Sequence, residues 1–534
     1  MKRNRLFLLV AMLPALAMQA QTSYEAAALL DTDLSGTSRF VGMGGAMSAL
    51  GADMSTMSTN PAGTALYRSW DASLSFGGNW ITQRTQTNLG KGRAFDAYGS
   101  FDNMGVVIAN KQSNVDPVRF VNFGINYRNV KRFDSKMGMS SNLKRNDGVY
   151  LSQTGQMAWQ AYQNWDVVAE DFNPHDEEGF FHRNYYKQDW VGWLTLLGAQ
   201  GYLIDESALY EDLALQNKNY YPSNYNEYRS VQYGGIDAYD FNLSVNLYDA
   251  VYFGATFTTY DVDRTTESVY SERFDDGSYT LQNYYRTVGT GYDFKFGVIL
   301  RPFEESSFRF GVSATTPTVY WLCDHNSAVL NSQVSFTNNE TGESWVETPT
   351  INTRSSKAYG DDCPTNYTMI APFKVNLSLG GTIGSSLALG AEYEYTDYST
   401  TKLFYSDGVE MSEMNEHTGA NFTGKHTLRL GAEHSFGTFY TRAGYNYQTG
   451  GYEMDAWKWI PVNSVQTNTD YANLKSTQNF TCGMGYRGDS FYADAALLYS
   501  RQSAEFFPFD NPNLDAAKLS SSLVKGMVTV GVRF

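Results

Sequence analysis

The chain has 534 residues and a net charge of −16, with 18% charged and 15% aromatic residues; it is too acidic for a nucleic-acid partner and too long for one ordinary soluble domain. Mean hydropathy is −0.40 and no segment after the N-terminus holds a long unbroken apolar run, which excludes membrane-spanning helices. A membrane β-barrel is not excluded, because only every second residue of a wall strand meets lipid.

Lys2, Arg3 and Arg5 followed by the apolar stretch Leu6 to Leu16 read as a secretory signal. Cleavage is expected at Ala15-Leu16-Ala17 or at the end of the stretch closing on Ala20, so residues 1–20 are assigned to the signal peptide. Residues 21–69 show no sustained period-two alternation. Their middle, Gly36-Thr37-Ser38-Arg39-Phe40-Val41-Gly42-Met43-Gly44-Gly45-Ala46, and the later Asn60-Pro61-Ala62-Gly63 are rich in small residues that let backbone bend and pack closely. That composition suits a compact hatch inside a barrel, and equally a tail outside one.

From residue 70 to 534 the pattern is alternation. In Tyr239-Asp240-Phe241-Asn242-Leu243-Ser244-Val245-Asn246-Leu247 one face is apolar and the other polar, which is the period of a strand with two unlike sides. The same pattern recurs at Val121–Tyr127, Tyr292–Leu300, Phe373–Leu379, Leu387–Tyr395, Leu428–Ala432, Ala443–Tyr447 and Val528–Phe534. Asp240, Asp293, Lys295, Arg309, Lys374, Glu392, Glu394, Arg429, Glu433 and Arg442 all fall on the polar face. A basic side chain facing lipid at mid-bilayer costs roughly 2–4 kcal/mol, so the charged face lines the lumen. The segments number about fourteen, an even count as single-chain bacterial barrels require. Short turns at Tyr248–Ala250, Pro302–Ser306, Gly384–Ser386, Ser435–Gly437 and Arg487–Ser490 alternate with long stretches at 133–235, 262–285, 317–365, 398–423, 449–474 and 502–522. Short periplasmic turns and long extracellular loops are the barrel rule.

Within the loops, Trp190, Trp193, Leu194 and Leu197 form an apolar cluster in loop 133–235, which suits either a landing groove for an apolar ligand or the loop's own small core. Cys323 and Cys363 fall in one loop, and export allows oxidation, so they are expected to pair while Cys482, on a strand, stays free. Gly42-Met43-Gly44-Gly45 lacks the spacing and strand–helix context of a dinucleotide site. His175-Asp176-Glu177-Glu178 with His182 reads as a solvated acidic loop rather than a cation site. No nucleophile–His–acid set stands out, so neither enzyme activity, cofactor nor metal is expected.

Arg39-Phe40-Val41-Gly42-Met43-Gly44-Gly45-Ala46, Asn60-Pro61-Ala62-Gly63 and Tyr67-Arg68 resemble the hatch of the FadL/TodX-type outer-membrane transporters of long-chain fatty acids and other hydrophobic compounds. Thr315-Thr316-Pro317-Thr318, Ala371-Pro372-Phe373, Glu392-Tyr393-Glu394-Tyr395 and the final Arg533-Phe534 are similar to that family too. Loops 133–235 and 317–365 carry no matching motif. The resemblance implies an all-β, transmembrane antiparallel barrel of about fourteen strands with an N-terminal hatch in its lumen. In that hatch Arg39, Gly42, Gly44, Gly45, Asn60, Pro61 and Ala62 would be the site residues. It further implies an outer-membrane monomer, set among outer-membrane lipids and lipopolysaccharide and inserted by the barrel-insertion machinery, that passes a hydrophobic small-molecule ligand toward an opening in the wall. A general diffusion porin, or a surface receptor or adhesin binding haem or a host protein through its loops, are the alternatives.

Overall fold

The computed structural model describes residues 21–114, 116–143, 151–163, 184–204, 221–338 and 341–534. Fourteen antiparallel strands close into a barrel. They are β1 Asp71–Gln86, β2 Lys91–Lys111, β3 Val118–Arg132 continued by Ser135–Asn142, β4 Tyr225–Leu247, β5 Val251–Phe274, β6 Gly277–Leu300 and β7 Arg309–Thr315 continued by Val319–Thr337. There follow β8 Cys363–Ile370 continued by Lys374–Ile383, β9 Leu387–Asp397, β10 Gly424–Phe436, β11 Phe439–Thr449, β12 Tyr471–Arg487, β13 Phe491–Phe507 and β14 Ala517–Arg533. Closure is made by β1 on β14, from Asp71 opposite Arg533 to Gln86 opposite Lys518. A small hairpin, Ser344–Glu347 and Thr350–Asn352, pairs back onto β7.

The alternation read from the sequence holds in space. Leu243, Phe253, Phe296, Leu377, Leu430, Phe480, Leu497 and Val528 point outward and are exposed, while Asp240, Asn242, Lys295, Glu392, Arg429, Arg442 and Asp494 point inward and are buried. A continuous apolar exterior over a charged interior is the surface of a membrane barrel. Two aromatic girdles bound it. Tyr248, Phe303, Phe436, Phe439 and Phe491 ring the short-turn end, and Tyr127, Tyr239, Tyr292, Trp321 and Tyr393 ring the other. Along β4 and into the turn that follows it, the girdles are Tyr239 and Tyr248, nine residues apart. At ~3.3 Å per residue and a ~40° tilt that is a band ~23 Å tall, the height of a lipid-facing belt.

Above the upper girdle the strands run further than the sequence suggests. Residues 262–285, expected as a loop, form an unbroken continuation of the β5–β6 ladder from Val262 opposite Gly289 to Phe274 opposite Gly277. The alternation there places Thr, Glu and Ser outward, so the apolar stripe that marks a lipid-facing strand is lost although the ladder persists. Three neighbouring strands break at one height. Pro317 interrupts β7, Pro372 interrupts β8, and a 3-10 turn at Tyr398–Thr400 ends β9, whose chain resumes pairing with β8 at Lys402–Tyr405. Proline removes a ladder donor, so two prolines side by side are tolerated only where the strands bend.

Replacing Leu430 by Arg should destabilise the barrel by roughly 2–4 kcal/mol, because this side chain faces mid-bilayer lipid, whereas the neighbouring Arg429 sits in the lumen without that penalty. Urea unfolding in lipid vesicles reads the shift.

Candidate functional site

Residues 21–69 fill the lumen. Helices α1 Ser23–Leu30 and α2 Ser38–Gly42 are each opened by a threonine cap, Thr22 and Thr37, and two 3-10 turns follow at Met54–Ser58 and Pro61–Leu66. Pro61 stands at the first position of its turn, where its missing N–H is no loss, and Asn60 caps the turn by accepting from the Ala62 amide at 3.1 Å. Asn60 also donates to the Val298 carbonyl, and the Pro61 carbonyl accepts from Asn242 at 3.2 Å. Asn122 donates to the carbonyls of Thr64 and Tyr67. The wall thus reaches inward with amide side chains to satisfy hatch backbone that makes no regular ladder.

Wall glycines set how close the hatch comes. Gly380, Gly390, Gly431 and Gly444 lie in one register row across β8 to β11. A methyl group at Gly390 would overlap the Ala46 carbonyl, at Gly431 the Met43 carbonyl, and at Gly444 the Gly44 amide. Gly254 and Gly297, paired on β5 and β6, face Pro61 and Asn60 in the same way. Within the hatch Gly44 and Gly45 take positive φ of 63° and 81°. Gly42 gives its carbonyl to Thr481 at 3.1 Å. Arg39 is the electrostatic pin: it grips Glu433 with two bonds of 3.0 and 2.9 Å and donates to the Ala52 carbonyl. Glu433 in turn meets Arg442 at 2.6 Å, and Arg442 meets Asp494 at 2.7 Å.

Higher in the lumen the hatch is held by side chains that the sequence reading did not single out. Glu25 of α1 takes Arg264 of β5 at 2.9 Å and Lys458 of the β11–β12 loop at 2.9 Å, all three buried. Burial alone would raise the Glu25 pKa, but Lys458 and Arg264 outweigh it and hold the carboxyl at about 2. Asp31 pairs with Lys425 and accepts from Tyr398. Asp33, between α1 and α2, takes Lys131 at 2.9 Å and the Arg132 amide at 3.0 Å, and its own amide donates to the Val130 carbonyl.

Those Asp33 contacts fall where the wall opens. β2 pairs with β1 from Lys91 to Val107 but with β3 only over Asn103–Lys111. Among the described residues, Lys91–Asp102 has no ladder on the β3 side. Instead β3 bulges at Asn129 to Lys131, leaves the ladder at Phe133 and Asp134, and resumes on β4 alone. Opposite the bend stands Gly234 at φ 98°, where a side chain would overlap the Asp263 carbonyl. The upper arm of β3 crosses the β1–β2 hairpin, with Thr85 donating to the Gly138 carbonyl and Thr87 to that of Ser140. Lys136 reaches Asp96 across the gap at 3.1 Å. The gap starts at the upper girdle, where Phe101 of β2 still stacks on Tyr127 of β3 at 5.2 Å. A lumen cavity of about 320 Å³ lies directly behind it, bordered by Tyr98, Lys131, Phe133 and Asp134 of the gap and by Tyr24 and Asp31 to Ser35 of the hatch.

Two expectations are corrected. Trp193, Leu194 and Leu197 form no open landing groove: they are 1%, 1% and 0% exposed, in the core of a cap over the long-loop end of the barrel. That core also contains α3 Gln153–Gln163, α4 Trp193–Gln200 and the upper strand ends, with Trp190 tilted against Tyr185 at its edge, ring centroids 5.2 Å apart. Cys323 and Cys363 are both free thiols. In the β7–β8 ladder Cys323 lies opposite Asn366 and Cys363 opposite Asn326, an odd offset that puts the two sulfurs on opposite faces of the wall. His175 to Glu178 and His182 lie outside the described residues. The hatch residues Arg39, Gly42, Gly44, Gly45, Asn60, Pro61 and Ala62, by contrast, lie together against the inner wall.

The geometry defines a membrane-spanning β-barrel closed along its axis by an N-terminal hatch and interrupted in its wall beside a lumen cavity. The fold is similar to that of a Pseudomonas aeruginosa FadL homologue, at 13% identity over 94% of this chain and 99% of that one, with a TM-score of 0.49. It is also similar to the P. putida toluene transporter TodX (10% identity, 94% and 99% coverage, TM-score 0.44) and the Ralstonia pickettii toluene transporter TbuX (12%, 94% and 99%, 0.43). Comparison of the sequence with protein-family models and with curated proteins gives no match.

Replacing Gly390 and Gly431 together by Val should unseat Met43–Ala46 while the barrel still closes; single-channel conductance in planar bilayers should rise from near zero to a steady open level. Glu25 should keep α1 anchored through mildly acidic solution, since its paired carboxylate is fully ionised above its ordinary value of 4.5, and lose that anchorage only as pH falls through about 2. A fluorophore on Ala28→Cys reports the change; a transition centred in the ordinary carboxylate range would contradict the pairing. Glu25→Gln should loosen α1 already at neutral pH.

Proposed function

We propose that this protein is a passive outer-membrane transporter of hydrophobic small molecules, the class to which long-chain fatty acids belong. The observation that carries this reading is the position of the cavity: hatch on one side, interrupted wall on the other. A molecule held there has its axial path blocked by Met43–Ala62 and a lateral path beside β2 toward the apolar belt. For an apolar solute the lateral path has a physical advantage. Each methylene moved into water costs about 0.8 kcal/mol, and a route from lumen to bilayer avoids that exposure. The resemblance of the hatch segments to the FadL/TodX-type family supports the same reading. An open diffusion pore would need a lumen clear of the hatch, and the backbone-to-backbone seating on the wall glycines argues against that. The barrel would act as a monomer in outer-membrane lipid and lipopolysaccharide, with Phe534 offered to the insertion machinery.

The gap itself can be tested. Asp96→Cys with Lys136→Cys, in a background where Cys323, Cys363 and Cys482 are Ala, gives two thiols that a short bis-methanethiosulfonate reagent joins reversibly across it. Cross-linking should cut uptake of a labelled long-chain fatty acid into outer-membrane vesicles to the level of vesicles lacking the protein, and reduction should restore it. A labelled sugar should be unaffected throughout. Fatty-acid uptake that ignores the bridge would remove the lateral route, and faster sugar uptake would favour the pore.

A further inference from the structure

The cavity wall carries a pattern that a simple hydrocarbon path does not need. Gln448, Thr477, Gln502, Ser521 and Gln83 stand in one register row across β11, β12, β13, β14 and β1, all facing the lumen. Every one is an uncharged hydrogen-bonding side chain, and four of the five are only half-buried. The row toward the extracellular side is apolar: Leu474, Ala504 and Leu519 follow the same register, with Ala472 and Phe506 beyond them. The cavity therefore presents an apolar band beside a band of amides and hydroxyls.

The charges around it are already engaged. Lys131 holds Asp33, Arg264 holds Glu25, Lys525 holds Asp102 at 2.6 Å, and Arg132 stands 4.0 Å from Asp237. A carboxylate ligand would have to compete for cations that are each committed to a protein acid. The Gln83 side-chain oxygen is buried without a hydrogen-bond partner. It is an acceptor on a half-buried side chain that lines the cavity, so a turn of that side chain offers it to a ligand hydroxyl and to neither a hydrocarbon nor a carboxylate anion. A hydrocarbon would also strip water from the polar row and give nothing back.

Resting on the transport reading above, we propose that the cavity selects amphiphiles with an uncharged, hydroxyl-bearing head on an apolar chain, with the chain along Leu474, Ala504 and Leu519 and the head on the Gln83–Ser521–Gln502 row. Monoacylglycerols are the test representative of that chemistry.

The experiment measures uptake of three labelled probes of one chain length, an n-alkane, the alkanoate and the 1-monoacylglycerol, into outer-membrane vesicles carrying the full protein. The monoacylglycerol should half-saturate at the lowest concentration. Gln83→Leu with Gln502→Leu should raise that concentration about tenfold, the scale of one to two neutral hydrogen bonds, and leave the alkane unchanged. Ser521→Ala should act in the same direction more weakly, and it serves if the double variant fails to show the heat-dependent gel mobility of a folded barrel. If the alkane or alkanoate saturates first, or the folded variants treat the monoacylglycerol as the wild type does, the head-group selectivity is wrong and the transport reading stands. If none of the probes enters faster than into vesicles lacking the protein, the transport reading fails and this inference falls with it.

Discussion

A strand in hydrocarbon has no water to satisfy an amide that misses its ladder partner, and each such group costs several kcal/mol. The closed ladder from β1 round to β14 answers that demand, and the rest of the molecule is arranged around the places where the ladder is allowed to stop. Between the girdles it is continuous. At the upper girdle β2 loses β3, and three neighbouring strands break at Pro317, Pro372 and Tyr398. The departures from regularity therefore begin where lipid headgroups, water or packed loop can take over the hydrogen bonding. An opening low in the band would expose backbone to acyl chains; one at the girdle does not.

The hatch is held by two kinds of force that divide along its length. Its lower part is pinned by Arg39 on Glu433 and otherwise seated by contact: backbone lies on wall glycines with no side chain between, and the amides of Asn60, Asn122 and Asn242 complete the hydrogen bonding. Such a fit has no soft coordinate, because any shift brings backbone atoms into overlap or leaves buried carbonyls bare. Its upper part is held by charge, through Glu25, Asp31 and Asp33. Buried ion pairs contribute little net stability once desolvation is counted, but separating one partner is costly, so they specify position more than they add stability. The segment beside the cavity and the gap is thus fixed by interactions that can exchange partners, and the segment blocking the axis chiefly by backbone seating that cannot.

The lumen charges follow the same logic. Arg128 with Asp240, Lys295 with Asp293, Arg429 with Glu392 and Glu394, and Arg442 with Glu433 and Asp494 form compact local groups. A porin would leave such groups facing water. Here they face the hatch, and what is left for a solute is the uncharged row from Gln448 to Gln83 across β11 to β1.

The sequence by itself determined the wall. Period-two alternation with charges on one side fixes strand positions and facing, because a one-residue slip would carry Lys295 or Arg429 into lipid. Starts near Asp71, Val118, Val251, Leu387, Gly424 and Phe491 were legible for that reason. Above the girdle, outward residues turn polar and the signal fades, so the extensions of β5 and β6 read as loop. The seating of Gly42 to Gly45 and Asn60 to Ala62 was legible as composition, since close backbone approach demands small residues, but the partner glycines on β5, β6 and β8 to β11 are scattered along the chain. Only the tertiary structure decided the pairs that join distant positions: Glu25 with Lys458, Asp33 with Lys131, and the Gln83 row drawn from five strands. It also decided against the Cys323–Cys363 bridge and the Trp193 groove. Face and burial at those residues depend on the register of one strand against another and on the packing of a loop over the barrel mouth, and no local pattern encodes either.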